Sequence, residues 1–497
     1  MSEKYIGAID QGTTSSRFII FNRKGEIVSS AQMPHKQYYP KPGWVEHDAV
    51  EILEKTLNVI NKALKKAKLT PADLEAIGIT NQRETTIVWD KESGKPLHKA
   101  IVWQDTRTEK LCRELEKKKG REYFYEKTGL PISTYFSASK IKWLCDNVTG
   151  IGEKIKNGTA LIGTIDSWIL WNLNGGEHYT DITNASRTLL FNINEMKWDD
   201  ELLKLFKVPE TSLPTVLPSI NSKGFGNLHL KGVNTKVPIT CVLGDQQAAL
   251  FGQTCFKKSE AKSTYGTGAF LLMNIGTEVY HSKFGLLTTP AYSINGSKPV
   301  YALEGSIAMA GSLVQWFRDN MRMIDKSDEI ETLALESKDN GGVYCVPAFS
   351  GLFAPYWCGD AEGLVTGLTH HTNRSHLARA VLEATAYQSR DVFDAMQKDT
   401  GINLKSLKVD GGMTVNELLM QFQADILDTE VVRPKIAETT CLGAAFGAGL
   451  AVGYWKDLDE IKKIWTEDKE WKPKMKPKVR TDLITGWEIA IRKSKRN

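Results

Sequence analysis

A chain of 497 residues exceeds what one hydrophobic core usually supports, so two large domains are expected. Hydrophobic residues at 41% and charged residues at 25% describe an ordinary globular protein. The net charge of +5 is small for this length and the basic residues are scattered, which argues against nucleic acid as a partner and weakly for an anionic ligand.

The cysteines and the amino terminus indicate a cytoplasmic protein. Seven cysteines are dispersed along the chain, and none forms a CxxC pair or a zinc-ligand spacing, which is typical of reduced thiols. The residues Met1 to Lys4 lack the apolar core of a signal peptide. The longest run of small apolar residues, Cys441 to Val452, is too short to span a bilayer and is predicted to form a buried helix.

The first predicted element is a hairpin at the amino terminus. A strand-like run from Tyr5 to Asp10 leads through Gly12 into four hydroxyl residues, Thr13 to Ser16, and a second apolar run follows. Gly12 allows close approach of a ligand, and the hydroxyls and amides after it can cradle phosphate oxygens. Asp10 is placed to hold a hydrated metal ion. An ordinary hairpin turn accounts for the same residues equally well, so the rest of the chain must decide.

Strands and helices alternate after the hairpin, which indicates an α/β domain. Asp48 is predicted to cap a helix whose apolar residues recur at helical spacing up to Leu64. A strand over Leu74–Thr80 then runs into Arg83-Glu84. Most adjacent Arg and Glu residues are surface ion pairs, but at the end of a strand they also offer opposite hydrogen-bonding characters to a polyol.

A strand, a Gly-Asp break and an apolar helix follow one another from Val242 to Phe251. Asp245 at the break would serve as the N-cap of the helix. With Gln246 beside it, the pair could instead accept and donate hydrogen bonds to substrate hydroxyls. An aspartate in that place could also take a hydroxyl proton as a general base.

The second half of the chain repeats the opening pattern. Gly266-Thr267-Gly268 is again a Gly/Thr turn between apolar strands, which is the pattern of a duplicated domain. A helix is predicted over 303–318, and its glycines at 305 and 311 indicate a close approach of a ligand or of another helix, because each costs roughly 1 kcal/mol relative to Ala. Gly411-Gly412 before a helix over 417–427 offers exposed N–H donors to a nucleotide.

Long strings of residues resemble the FGGY family of carbohydrate kinases over nearly the whole chain. The segment Tyr135 to Asn147 is similar to the first family signature, and Gly363 to Leu368 with His376 to Glu383 is similar to the second. The branch of the family that phosphorylates glycerol is indicated by three further strings: Pro42 to His47, Thr80 to Thr86 and Gly244 to Gly252.

The resemblance implies a fold and an activity. The expected fold is α/β, with two actin-like (ribonuclease H-like) domains, residues 1–252 and 253–497, that close over a central nucleotide and substrate cleft. The expected reaction is the ATP-dependent phosphorylation of glycerol to sn-glycerol 3-phosphate, with Mg²⁺ and with ADP as the second product. Glycerol and ATP are then the partners, without nucleic acid or membrane insertion, and a homodimer or homotetramer is expected by analogy.

The resemblance also assigns roles to single residues of this sequence. Contacts with the nucleotide phosphates are expected from Thr13, Thr14, Ser15 and Arg17. The second half is expected to complete the ADP site with Thr267, Gly311, Gln315, Gly412 and Asn416. Glycerol is expected to bind Arg83, Glu84, Tyr135, Asp245 and Gln246, with Trp103 and Phe270 against its carbon face. Asp245 is the expected general base, and Asp10 and Asp245 are expected near Mg²⁺.

Two alternatives remain at this point. Another kinase of the same fold, acting on a pentulose or a similar sugar, would keep the ATP site but need a roomier pocket, which Arg83-Glu84 disfavours. A non-catalytic actin-like protein would bind a nucleotide and close without turnover, but it has no need of a base such as Asp245 beside a polyol site.

Two segments depart from the family pattern. In the loop over 350–363, Phe353 stands in place of a glycine, Cys358 in place of an acidic residue and Glu362 in place of an arginine. We expect a different local geometry there, although the loop contains no expected site residue. The segment Leu230 to Lys236 lacks the Gly-Gly and Arg of the bacterial loop that binds fructose 1,6-bisphosphate.

The second departure generates a prediction about regulation. Fructose 1,6-bisphosphate at millimolar concentration should inhibit this protein weakly or not at all, because the residues that would bind its phosphates are missing. The measurement is the initial rate of glycerol-dependent ADP formation with and without the sugar bisphosphate. A clear drop in that rate would contradict the prediction.

Overall fold

The computed structural model describes residues 3–230, 235–349 and 351–495. The expectation about fructose 1,6-bisphosphate rests on the segment Leu230 to Lys236, of which Lys231 to Asn234 lie outside these ranges. Ser350, in the loop over 350–363, also lies outside them. Within the described ranges, no helix is both long enough and apolar enough to cross a membrane.

The first half of the chain is built on a six-stranded sheet. In spatial order its strands are Asn227–Leu228, Val237–Gly244, Leu74–Asn81, Tyr5–Gln11, Ser15–Phe21 and Ile27–Pro34. The last three form a meander of antiparallel strands that includes the predicted hairpin, and two further strands run parallel to the first of them. The predicted hairpin is therefore confirmed, with its inner residues, such as Ile9 and Phe18, fully buried.

The second half is built on a seven-stranded sheet with a matching core. In spatial order its strands are Leu287–Tyr292, Val300–Ile307, Ala269–Gly276, Ala261–Tyr265, Ser406–Asp410, Glu430–Pro434 and Glu467–Trp471. Its central five strands repeat the directions of the first sheet, because three antiparallel strands are followed by two strands parallel to the first of them. The third antiparallel strand, Val300–Ile307, follows the edge strand Leu287–Tyr292 in the chain, so these three do not form a simple meander. The predicted repeat of the Gly/Thr hairpin is confirmed in the strand order.

The remaining elements surround these two sheets. Smaller sheets are formed by Gln37–Tyr38, Glu46–His47, Ala100–Ile101, Thr86–Asp90 and Ala160–Thr164, by Tyr179–Asp181 with Thr215–Leu217, by Phe191–Asn192 with Lys197–Trp198, and by Tyr344–Val346 with Leu364–Thr366. The α-helices are Ala49–Ala67, Glu109–Lys119, Arg121–Thr128, Ser137–Asn147, Ile151–Lys156, Ile165–Leu173, Ile182–Ser186, Asp200–Phe206, Asp245–Gly252, Gly311–Asp319, Glu329–Leu335, Arg374–Thr400, Glu417–Leu427, Thr439–Ala451, Leu458–Ile464 and Pro477–Ser494. Short 3₁₀ turns lie at Pro71–Asp73, Glu210–Ser212 and Gly412–Val415.

The prediction of one helix over 303–318 is wrong. Val300–Ile307 is a buried strand between two others, and the helix begins only at Gly311. A short apolar run fits a buried strand as well as a buried helix, so only the pairing with neighbouring strands decides between them. Gly305 is needed because a Cβ there would lie 2.2 Å from Val392 Cγ1 on the long helix Arg374–Thr400.

Two helices join the halves, each following the last parallel strand of its sheet. We call Asp245–Gly252 and Thr439–Ala451 the crossing helices. The second of them, predicted from its apolar run, packs on the first sheet, where a Cβ on Gly78 would lie 2.1 Å from the Ala444 carbonyl oxygen. The two helices touch backbone to backbone, since a Cβ on Gly443 would lie 1.8 Å from the Ala248 carbonyl oxygen.

This contact predicts that Gly443→Ala destabilises the protein. Overpacking of this kind costs about 1–3 kcal/mol, and here the neighbour is backbone that cannot rotate away. The measurement is the urea midpoint of unfolding. Gly359→Ala is the matched control, because a Cβ at Gly359 meets nothing within 4 Å. Equal midpoints for the two variants would contradict the prediction.

Candidate active site

Three parallel strands of the first sheet end in one row. Gln11 pairs in register with Asn81, and Asn81 pairs with Gly244. Ligands of α/β sheets bind outside the carboxyl ends of parallel strands, because the loops that follow the strands meet there. The residues that come just after these three ends therefore lie at one edge of the sheet: Gly12, Arg83 and Asp245.

The turn of the amino-terminal hairpin is held from both sides. The Gly12 N–H donates to the Ser15 carbonyl at 2.9 Å. The indole N–H of Trp103 donates to Thr13 Oγ1 and the amide of Gln37 donates to the Thr13 carbonyl, both at 3.0 Å. The residues predicted to bind phosphate, Thr13, Thr14 and Ser15, thus lie beside Trp103, a residue predicted to face glycerol.

Asp10 and Arg17 are register partners on the two hairpin strands. Arg17 forms an ion pair with Glu438, which directly precedes the second crossing helix. Burial raises the pKa of Asp10 to about 7, the charge of Arg17 opposes this, and the charge of Asp245 adds to it. A divalent cation would remove the repulsion between the two carboxylates, so this donor set fits Mg²⁺.

A carboxylate from the second sheet holds Arg83. Its guanidinium donates to both oxygens of Glu304, at 2.6 and 2.9 Å, and its Nε lies 3.1 Å from Asp245 Oδ1. Arg83 and Glu304 are 3% and 0% exposed. Burial opposes the ionisation of Glu304, but Arg187 and Arg83 outweigh it and lower its pKa to about 2. The bidentate contact leaves the guanidinium a single orientation.

Glu84 is hydrogen-bonded to Arg187 and not to its sequence neighbour, Arg83. Arg187 Nε donates to Glu84 Oε1 at 2.6 Å, whereas Arg83 Nε lies 3.9 Å from that oxygen. The alternative of a surface Arg-Glu pair is wrong, because both side chains are buried. Glu84 has a φ of 62°, and its carbonyl accepts from the hydroxyls of Thr86 and Ser137 at 3.0 and 2.8 Å. Strained backbone fixed by such contacts is typical of functional sites.

Asp245 begins the first crossing helix, whose N-cap is Gly244, so the alternative of Asp245 as the cap is wrong. Its side chain is 30% exposed, which leaves it accessible to a ligand while Oδ1 pairs with Arg83. Burial raises the pKa of Asp245, and the charges of Arg83 and Lys262 oppose that shift. A raised pKa suits a carboxylate that has to accept a proton. Gln246, beside it, is held through its amide oxygen by Lys262 at 2.5 Å.

Aromatic rings line the same place. Trp103 and Tyr135 are in edge-to-face contact with their centroids 5.5 Å apart, and Arg83 lies over the Phe270 ring at 5.9 Å. Burial raises the pKa of the Tyr135 hydroxyl, which stays neutral and able to donate. The structure therefore brings together every residue predicted to hold glycerol, between charged hydrogen-bonding groups and an apolar wall.

The turn of the second hairpin, Gly266-Thr267-Gly268, contacts the first residues of the helix Gly311–Asp319. The Thr267 carbonyl accepts from the backbone N–H groups of Ala310 and Ser312, both at 3.0 Å. A Cβ on Gly311 would lie 2.6 Å from the Gly266 carbonyl oxygen, so only glycine fits there.

The remaining residues predicted for the nucleotide lie nearby on two helices. Gln315 is exposed one turn further along the helix Gly311–Asp319. Gly412 lies in the adjacent turn, whose Met413 sulfur is 3.7 Å from the position of a Cβ on Gly311. Asn416 is the N-cap of Glu417–Leu427 and accepts from the Leu419 N–H.

Three charged residues of this site were not predicted from the sequence: Glu304, Arg187 and Lys262. All three are 0% exposed. The available signal was a charge inside an apolar strand or next to one, as in Tyr301-Ala302-Leu303-Glu304. Almost no charged side chain is fully buried unless it is paired, but the sequence does not name the partner.

The structure also describes part of the loop that departs from the family pattern. Phe353 and Trp357 stack with their ring centroids 6.3 Å apart, and the Cys358 sulfur lies 3.1 Å from Asp360 Oδ1. Two of the exchanged residues, Phe353 and Cys358, therefore contact other residues of the same loop.

The family models and the most similar curated proteins point to the same family of kinases. The N-terminal domain of the FGGY family of carbohydrate kinases matches residues 5–252, and the C-terminal domain of that family matches residues 261–452. Glycerol kinases of Methylobacterium radiotolerans and Acidiphilium cryptum are each 56% identical, with 99% of this chain covered and 98% and 99% of the relatives.

Solved structures with a similar fold are also kinases of small polyols or sugars. The crystal structure of Plasmodium falciparum glycerol kinase with ADP has a TM-score of 0.92 and 42% sequence identity, and covers 100% of this chain and 99% of that chain. A ligand-bound xylulose kinase from Lactobacillus acidophilus has a TM-score of 0.86, with 98% and 97% covered. At 22% identity the second similarity shows the fold alone.

The buried ion pairs predict a large effect of Glu304→Gln. This change leaves Arg83 and Arg187 without their shared counter-charge, and removing one partner of a buried pair costs about 3–5 kcal/mol. The measurement is the free energy of unfolding in urea. Glu195→Gln is the matched control, because its pair with Lys197 is exposed (55% and 62%) and should contribute less than about 1 kcal/mol. Equal losses for both variants would contradict the prediction.

Proposed function

The chain belongs to the FGGY family of carbohydrate kinases, and on that premise we propose that it transfers the γ-phosphoryl group of ATP to glycerol. The products are sn-glycerol 3-phosphate and ADP. The observation that carries this proposal is the buried cluster of Arg83 and Glu84 beside the partly exposed Asp245. The names of the relatives, glycerol kinases that match over nearly their whole length, support the same substrate.

The pocket suits a small polyol. A three-carbon substrate has little area to bury, so its affinity has to come from paired hydroxyl contacts. Arg83, fixed by Glu304, can donate, and Glu84, fixed by Arg187, can accept. The rings of Trp103 and Phe270 would cover the carbon side of the substrate.

Asp245 is the proposed base. The terminal hydroxyl of glycerol attacks the γ-phosphorus, the bond to the bridging oxygen of ADP breaks, and the hydroxyl proton passes to the Asp245 carboxylate. Arg83 Nε, 3.1 Å from Oδ1, orients that carboxylate. The second oxygen is then left for the substrate.

The two hairpin turns are the proposed phosphate site. Thr13, Thr14 and Ser15 would bind phosphate oxygens from the first half, and Thr267 and Gly311 from the second. Arg17 would add charge. The adenosine would lie along Gln315, Gly412 and Asn416. Phosphoryl transfer depends mainly on such positioning and charge neutralisation.

Asp10 and Asp245 would lie near Mg²⁺, which neutralises phosphate charge when it is bound. Over the described ranges, no three His, Cys, Asp or Glu side chains converge on one point. Water and phosphate oxygens would therefore supply most ligands, as Mg²⁺ prefers.

The same proposal covers the division into domains, the cellular compartment and the oligomeric state of the protein. The domains are residues 1–252 and 253–497, and their closure over the cleft excludes water, which would compete as a nucleophile. The protein acts in the cytoplasm. It forms a homodimer or homotetramer, by analogy with its family.

A pentulose kinase is the competing function, since the xylulose kinase structure has the same fold. A panel of glycerol, xylulose and gluconate at equal concentrations separates the two. We expect glycerol to give the highest kcat/KM, because Arg83 and Glu84 are fixed in buried ion pairs and cannot withdraw for a longer substrate. A preference for xylulose or gluconate would overturn the proposed substrate.

The role of Asp245 predicts the behaviour of Asp245→Asn. Glycerol-dependent ADP formation should fall at least about a hundredfold, because a proton acceptor contributes roughly 10²–10⁴-fold. Glycerol should still bind, because the amide keeps the size and one oxygen of the carboxylate. A coupled assay measures the first and calorimetric titration the second. Near-normal turnover of the variant would rule out Asp245 as the base.

A further inference from the structure

Lys262 is a fully buried lysine that points into the candidate active site. It lies on the strand Ala261–Tyr265 and is 0% exposed. Its ammonium donates to Gln246 Oε1 at 2.5 Å, to Thr264 Oγ1 at 2.9 Å and to the Phe270 carbonyl at 3.4 Å. The reaction proposed above gives this lysine no role.

The contact with Lys262 decides which way the Gln246 amide faces. An ammonium has only donors, so the amide group that faces it at 2.5 Å must be the oxygen. The Nε2 donor is therefore turned away from Lys262. Within the described residues it donates to no protein atom, although Gln246 is only 6% exposed. Nε2 is not one of the buried side-chain atoms that lack a partner, so it is open to a ligand, and a substrate hydroxyl could accept from it.

The position of Lys262 in the sheet relates its contact with Gln246 to the contact between Glu304 and Arg83. Lys262 pairs in register with Leu272, and Leu272 pairs with Glu304. Lys262 and Glu304 thus lie in one row, two strands apart. Glu304 holds Arg83 and Lys262 holds Gln246. Two charges of the second sheet orient two residues of the predicted glycerol site.

Stability does not explain a lysine at this place. Burial lowers the pKa of Lys262 to about 8, although the charges of Asp410 and Asp245 oppose that shift. A buried charge and its partners can often be exchanged together for apolar residues of similar volume without loss of stability, so the fold alone does not require a charge here.

We propose that Lys262 is a positioning residue for glycerol. It fixes the amide of Gln246 so that Nε2 donates to a hydroxyl oxygen of the substrate, and it excludes the flipped amide. This inference rests on the proposed function.

The test combines Lys262→Met with Gln246→Leu in a double-mutant cycle, using the full chain and separate KM values for glycerol and ATP. Each single variant should raise the glycerol KM about tenfold, the value of one hydrogen bond, and leave the ATP KM within about twofold. The double variant should be no worse than the poorer single variant, because both changes remove the same contact. The Tm of Lys262→Met should fall, because three acceptors lose their donor, so the KM values are compared at a temperature at which both proteins are folded.

Two further variants keep the test decisive. Gln246→Glu keeps an acceptor for Lys262 but has no amide donor, so it should lose glycerol affinity as Gln246→Leu does. Lys408→Met is the matched control. Lys408 pairs in register with Lys262 and donates to the Gln253 carbonyl at the other end of the same crossing helix. Its loss should leave the glycerol KM within about twofold, because it does not contact Gln246.

The outcomes are distinct. If the wild type forms ADP with glycerol and Lys262→Met does so with an unchanged glycerol KM, the inference alone is wrong. Additive effects in the cycle, an equal rise in the ATP KM, or the same rise in Lys408→Met would also overturn it. If the wild type shows no glycerol-dependent turnover, the proposed function fails and the inference fails with it.

Discussion

The active site depends on compensation of buried charge between the two halves of the chain. Arg83 and Arg187, from the first half, face Glu304 of the second sheet, and Glu84 completes the cluster. None of these charges could stay buried alone, because an unpaired ion in a protein interior loses its hydration and gains no ion pair to offset that cost. The pairing therefore fixes both the contact between the halves and the direction of each group that would bind substrate.

Glycine makes the rest of that contact possible. The crossing helices meet at Gly443 and Gly252, where any side chain would overlap a backbone carbonyl of the other helix. The first crossing helix begins with Asp245 and Gln246, so its placement is also the placement of the proposed base. Lys262, from the second sheet, holds Gln246 at the start of this helix, whereas Lys408 contacts the chain beyond its far end, at the Gln253 carbonyl. The first crossing helix therefore serves both the packing of the two halves and the position of the proposed base.

Sheet register explains why residues far apart in the chain form one site. Parallel strands place their carboxyl ends on one edge, and each end is followed by a polar turn: Gly12, Arg83 and Asp245 in the first sheet, and Gly266 and Gly411 in the second. The helix wrongly predicted over 303–318 shows what happens when the sheet register is not known. The run Val300–Ile307 is a strand because two neighbours pair with it, and those neighbours are not visible in its own residues.

The sequence by itself determined the local features: the two hairpins, the cap of Asp48, the strand and helix around Asp245, and the strings that mark the family. The hairpins, the cap and the strand and helix follow from backbone preferences and periodicity over a few residues, whereas the set of residues expected to hold glycerol is what the resemblance to the family implies. Only the tertiary structure decided which charges pair. Glu304, Arg187 and Lys262 carry no local signal of a partner more than ten residues away, because the energy of a buried charge depends on what the fold brings beside it.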